Sequence, residues 1–167
     1  MEITILKKEK CPEHVIDHSK AVCDKAIKIA SNFDNVDLDL VKKGALLHDL
    51  GRSKTMSIDH AIEGAKIAKK YGYCEEIINI IERHVGSGIS EEESSKIGFP
   101  KKSYVPKTIE EKIVAHSDNL IHGTEEVDVS FVIQKWKKRI DNPNDNIERL
   151  INLHNELVEP FKNEKSR

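Results

Sequence analysis

The sequence predicts an all-α fold, a single-domain bundle of about six to eight helices. Three observations predict it. Apolar residues recur at three- and four-residue spacing along most of the chain, as on one face of a helix. There is no convincing strand pattern, no internal repeat and no linker-like stretch between two halves. The chain has 167 residues, enough for one domain with a real core.

Composition narrows the function. Hydrophobic residues make up 38% and charged residues 34%, the balance of a soluble, highly charged globular protein rather than a disordered one. The net charge of −2 gives no general pull toward nucleic acid or an acidic membrane. Aromatics are 5%, so stacking platforms for bases are scarce. No apolar run approaches the roughly 18 residues that span a bilayer. Met1-Glu2-Ile3-Thr4 lacks a signal-peptide pattern, which leaves the cytoplasm as the expected compartment. Cys11, Cys23 and Cys74 form no Cys-x-x-Cys pair and read as reduced thiols. Eight histidines stand out, because imidazole is the commonest metal ligand.

The elements follow in order. Residues 1–10 carry little pattern. Pro12 suits a first helical position, and Val15, His18, Val22, Ala26 and Ile29 then share a face. His14 lies one turn before His18 and competes with it as a candidate ligand. Asp37 caps a second helix with Leu38, Val41, Ala45 and His48 inward, and Gly51 lets the chain turn after Asp49. Ser57 or Asp59 opens a third helix, with His60 in its first turn, small Gly64 and Ala65 for close approach, and Gly72 at its end. A fourth covers about 74–85, with Ile77, Ile80, Ile81 and His84 on one side. From Gly86 to Lys107 the pattern lapses, with room for one short helix; a connection this long is often functional. Thr108-Ile109-Glu110-Glu111 reads as a capping box opening a helix that carries Val114, Asp118 and Ile121. Residues 127–140, with Phe131 and Trp136 read as packing, form a sixth helix. Asn142-Pro143 starts a seventh, and the polar tail from Pro160 should fray.

Six residues on, or at the ends of, these apolar faces carry the chemistry: His18, His48, Asp49, His60, His84 and Asp118. A buried carboxylate without a partner is costly, so Asp118 calls for a cation or several donors. Imidazoles and carboxylates without thiolates suit one or two divalent ions, Mn, Fe, Co, Ni, Zn or Mg. A helix bundle can aim such side chains at one point. His116, His122 and His154 read as core or bland positions.

His18, then His48-Asp49, then Asp118 resembles the HD-domain metal-dependent phosphohydrolase superfamily. His48-Asp49-Leu50-Gly51-Arg52 is similar to its HDIG-type branch, and His60-Ala61-Ile62-Glu63-Gly64-Ala65 and Ile81-Glu82-Arg83-His84 resemble the segments that follow there. The resemblance covers about 15–122. It implies a metal-binding core over about 12–122, with a C-terminal helical extension over about 127–160, both within a single HD domain spanning 1–167. His18, His48, Asp49 and Asp118 would hold metal, Asp49 would bridge where two ions bind, and His60 and His84 would hold the second. The chain departs from the HD-GYP branch, since His84 is followed by Val85-Gly86-Ser87-Gly88.

The expected reaction is hydrolysis of a phosphomonoester or phosphodiester in a small phosphorylated substrate, a nucleotide foremost, by water on a divalent ion. Asp49 and Arg52 are the catalytic candidates, and Arg52, Arg83, Lys101 and Lys107 the candidates for binding substrate, with Lys102 beside them. Two rivals stand: a dinuclear-iron oxygenase on the same ligands, and a non-catalytic binder of metal or nucleotide. The C-terminal helices could pack on their own domain or on a second copy, so a homo-oligomer is open.

Overall fold

The computed structural model describes residues 1–163, and within them the chain is helical with one two-stranded ribbon. The elements are α1 Glu2–Lys8, α2 Glu13–Ala30, α3 Leu38–Leu47, α4 His60–Lys70, α5 Glu75–Glu82, α6 Glu91–Lys96, α7 Ile109–Asn119, β1 Ile121–His122, β2 Glu125–Glu126, α8 Val129–Arg139 and α9 Asn144–Leu157. Short 3-10 turns occupy Leu50–Ser53 and Glu159–Phe161. All seven helices expected from periodicity are there. The 86–107 stretch holds one short helix, α6, and the unpatterned N-terminal lead folds as α1.

Local chemistry explains the boundaries. Asp37 accepts the Leu40 N–H at 2.9 Å and Asp128 the Phe131 N–H at 2.9 Å, each capping a helix start. Ser90 and Glu93 close a full capping box at α6. At α7 only half of the expected box forms. Thr108 accepts the Glu111 N–H, but Glu111 turns its carboxylate to the Lys107 N–H at 2.7 Å and to Arg83 at 2.8 Å. Gly72 ends α4 at φ +77°, a left-handed conformation that glycine adopts without strain.

α2 packs on α3 and α7, while α4 packs on α5 and on the Leu50–Ser53 turn. One core lies among α2, α3, α5, α7 and α9, around Val22, Ala26, Val41, Ala45, Ile113 and Leu157. A second, around Leu6, Ile16, Leu47, Leu50, Ile77 and Ile81, lies on the other side of α3 and α5. Leu6 is fully buried, so α1 is held by its apolar side despite its lysines. A third cluster of Ile89, Phe99 and Tyr104 pins the 86–107 stretch. The frayed tail expected from Pro160 is ordered through Asn163: Pro160 lies in a 3-10 turn and Phe161 meets Phe33 edge-on at 5.1 Å. The rest of that tail, 164–167, lies outside the described residues.

Candidate metal centre

The six expected ligands come together. His18 is mid-α2, His48 and Asp49 follow α3, His60 opens α4, His84 lies just past α5 and Asp118 is in the last turn of α7. His14 is exposed on the outside of α2, which leaves His18 as the histidine of that helix at the cluster. Gly51 does a different job from the one its position suggests. A Cβ there would stand 1.8 Å from the His60 carbonyl oxygen and 2.6 Å from the Gly64 nitrogen. Gly51 and Gly64 therefore let α4 touch the turn after Asp49, and this contact delivers His60 to the carboxylate.

Asp49 stands between two groups of imidazoles. Its Oδ2 lies 3.6 Å from His48 Nε2 and 3.9 Å from His18 Nε2. Its Oδ1 lies 3.2 Å from His60 Nε2 and 3.5 Å from His84 Nε2. Asp118 Oδ1 completes the first group, 2.8 Å from His18 Nε2 and 3.4 Å from His48 Nε2. Within His18, His48 and Asp118, and again within His48, Asp49 and His84, the ligand atoms all lie within 4.8 Å of one another.

The outer face of each ring decides what the inner face offers. Nδ1 of His48 meets the Ala45 carbonyl at 2.7 Å, that of His60 the Ser57 carbonyl at 2.8 Å, and that of His84 the Ile81 carbonyl at 2.6 Å. Nδ1 of His18 meets the Gly123 carbonyl at 2.6 Å, in the turn between β1 and β2. A carbonyl only accepts, so each Nδ1 carries a proton, and each ring, when neutral, aims the lone pair of its Nε2 inward. Two such nitrogens, on His60 and His84, are 3.0 Å apart, and the buried Nε2 of His48 makes no hydrogen bond. Facing lone pairs beside carboxylates fit a divalent cation.

The charges agree. Burial opposes a charge on His48, but Asp49 and Asp118 outweigh it and push its imidazole up to about 9. His18 is raised too, since Asp118 overcomes its burial. His84 goes down, because burial and the neighbouring imidazoles outweigh Asp49. Asp49 and Asp118 resist burial and are held below the usual carboxylate range by the histidines around them.

A cavity of about 280 Å³ opens over Asp49 and Asp118. Arg52 lines it; its Nε is 3.4 Å from Asp49 Oδ1 and its Nη1 donates to the Met56 carbonyl. The other basic candidates lie elsewhere. Arg83 donates to the buried Glu111, Lys102 pairs with Glu82, Lys101 sits on a surface hollow with Glu91 and Glu92, and Lys107 is exposed away from the cavity. Lys135, Phe131, Trp136 and His122 line it instead. Phe131, Val132, Lys135 and Trp136 recur at helical spacing on α8, and a lysine inside that aromatic stripe was the available signal. His116 and His154 form a separate buried pair, with Nε2 and Nδ1 3.0 Å apart.

A profile described as HD domain matches residues 15–123. The chain belongs to the HD domain family. The match ends at Gly123, so α8 and α9 lie beyond it. An uncharacterized protein of Methanocaldococcus jannaschii is 45% identical over 93% of this chain and 94% of its own length. The tRNA (cytidine(56)-2′-O)-methyltransferase of Picrophilus torridus is 44% identical over 93% of this chain but only 45% of its own length, so the chain spans less than half of that relative. The fold is similar to the HD domain of the Listeria monocytogenes phosphodiesterase PgpH in complex with cyclic-di-AMP, at a TM-score of 0.57 and 17% identity over 96% of this chain and 97% of that one.

Proposed function

We propose that this HD domain is a metal-dependent phosphohydrolase that cleaves a phosphomonoester or phosphodiester of a small phosphorylated substrate, a nucleotide foremost. The observation that carries the reading is Asp49, one carboxylate oxygen toward His18 and His48 and the other toward His60 and His84. In this reading His18, His48 and Asp118 would hold one divalent ion and His60 and His84 a second, with Asp49 contributing a carboxylate oxygen to each. Such ions supply a water of lowered pKa and charge compensation for phosphoryl oxygens.

The chain's own groups do the rest. The carbonyls of Ala45, Ser57, Ile81 and Gly123 fix the ring orientations. Arg52, held between Asp49 and the Met56 carbonyl, presents its guanidinium to the cavity, where a phosphoryl oxygen would accept from it. Lys135 brings a second positive charge from α8. We read the whole chain as one HD unit whose C-terminal helices wall the cavity.

Phosphate release from a panel of nucleotides, with Mn, Co, Ni or Mg, tests this. Release should stop with chelator, and Asp49→Ala should reduce it by about a thousandfold or more while the chain stays folded. Metal-loaded protein that cleaves no member of the panel would overturn the reading. Bound iron with oxygen consumption would turn it toward the oxygenase.

A further inference from the structure

A second, larger groove of about 680 Å³ adjoins the metal-side cavity. The two share Gly86 and Trp136. Gly86 has φ +57°, and a Cβ placed there would lie 3.6 Å from the indole. The Trp136 ring thus lies against bare backbone at the border between the two spaces.

Charge differs across that border. On the metal side Arg52 and Lys135 balance Asp49 and Asp118. In the groove, Glu93 is spent on Arg149 and Lys96 on Glu92, each at 2.8 Å. Asp141 and Asp145 line the groove with no ion pair among the described residues. Ile58, Val85, Ile89, Ile97 and Ile140 supply apolar wall. A space of this size, apolar with a few polar groups, suits a small organic group. Its acidic residues repel a phosphate, and its indole offers a face on which a base can stack.

We infer that the groove beyond Trp136 is the subsite for the uncharged, ring-bearing part of a phosphomonoester, that of a nucleoside monophosphate, and that Asp141 and Asp145 exclude a second phosphate. The inference rests on the phosphohydrolase reading for the reaction but not for the groove. It disfavours polynucleotides and bisphosphorylated nucleosides as substrates.

Trp136 is the single tryptophan, so its fluorescence reports on the border of the two spaces, and Ile97, which lines the groove alone, tells them apart. Adenosine titrated into the full chain should quench it saturably. Trp136→Ala should raise KM for AMP about tenfold or more and leave kcat within about threefold, and Trp136→Phe should restore most of the loss. Wild type should prefer AMP to adenosine 3′,5′-bisphosphate by about tenfold or more in kcat/KM, and Asp141→Asn with Asp145→Asn should erase most of that preference. An unchanged KM in Trp136→Ala, or equal use of the bisphosphate by wild type, would overturn the inference while leaving hydrolysis intact. If no phosphoester is cleaved, the adenosine titration decides: saturable quenching that Ile97→Asp weakens upholds the groove, and quenching that is absent or unmoved by Ile97→Asp ends it.

Discussion

The chain buries two groups of histidines, and they behave differently. Around Asp49, the rings of His48, His60 and His84 each donate an Nδ1–H to a backbone carbonyl, and their Nε2 atoms converge on carboxylates. At the other group, on α7 and α9, one imidazole pairs with the other, and the remaining His116 Nδ1 faces no carboxylate and has no hydrogen-bond partner among the described residues. His116 Nε2 meets His154 Nδ1 at 3.0 Å, and His154 Nε2 lies 3.3 Å from Glu159, at the exposed end of the chain of contacts. That arrangement needs no cation. Burial pushes His116 down to about 3, whereas carboxylates push equally buried His48 up to about 9. Burial alone does not make a histidine a ligand. The direction of its second nitrogen does, together with the charge that nitrogen faces.

The largest effect should come from breaking the contact that assembles the first group. Gly51→Ala places a methyl group inside the His60 carbonyl. Backbone must move, so we expect a loss of about 3 kcal/mol or more, roughly 10 °C in melting temperature, together with loss of bound metal. Gly72→Ala, at an open turn with nothing within 4 Å, should retain its metal and serve as the control.

The His48 group should sharpen the comparison through pH. In the metal-free chain its raised imidazole stabilises the fold below pH 6.5, and that contribution is lost as pH rises through about 9. A cation must displace the same proton. Metal affinity, by competition with a coloured chelator, should therefore climb up to about tenfold per pH unit between 6.5 and 9. A flat profile would show that His48 holds no proton for metal to displace.

The His116–His154 pair has the opposite sign. His116 is depressed, so its contribution is complete above pH 6.5 and is lost as pH falls from there toward about 3. Chemical denaturation of wild type and His116→Leu from pH 7.5 to 5 isolates this. Wild type should lose about 1.4 kcal/mol more per pH unit in the lower part of that range, with metal content the same in both proteins. Metal loss in His116→Leu would merge the two groups into one.

The sequence made the first group legible because each candidate ligand falls on, or at the end of, an apolar helical face and the HD doublet anchors them. It could not reveal where cationic groups spend their charge. Arg83 reads as a phosphate ligand until Glu111, 28 positions away, takes it. Trp136 and Phe131 read as packing, because nothing local says that the stripe on α8 faces a cavity built by α2 and α7. The β1–β2 ribbon, two residues per strand, is too short to show a period, yet its Gly123 carbonyl orients His18. Helix α1 escaped for the same reason of length.

The most direct test counts ions. Wild-type protein loaded with manganese, desalted and measured by plasma mass spectrometry should carry two ions per chain, and Asp49→Ala at most one. Folded wild type that keeps no metal, or an Asp49→Ala variant that keeps as much as wild type, would contradict the assignment of Asp49 as the carboxylate between two ions.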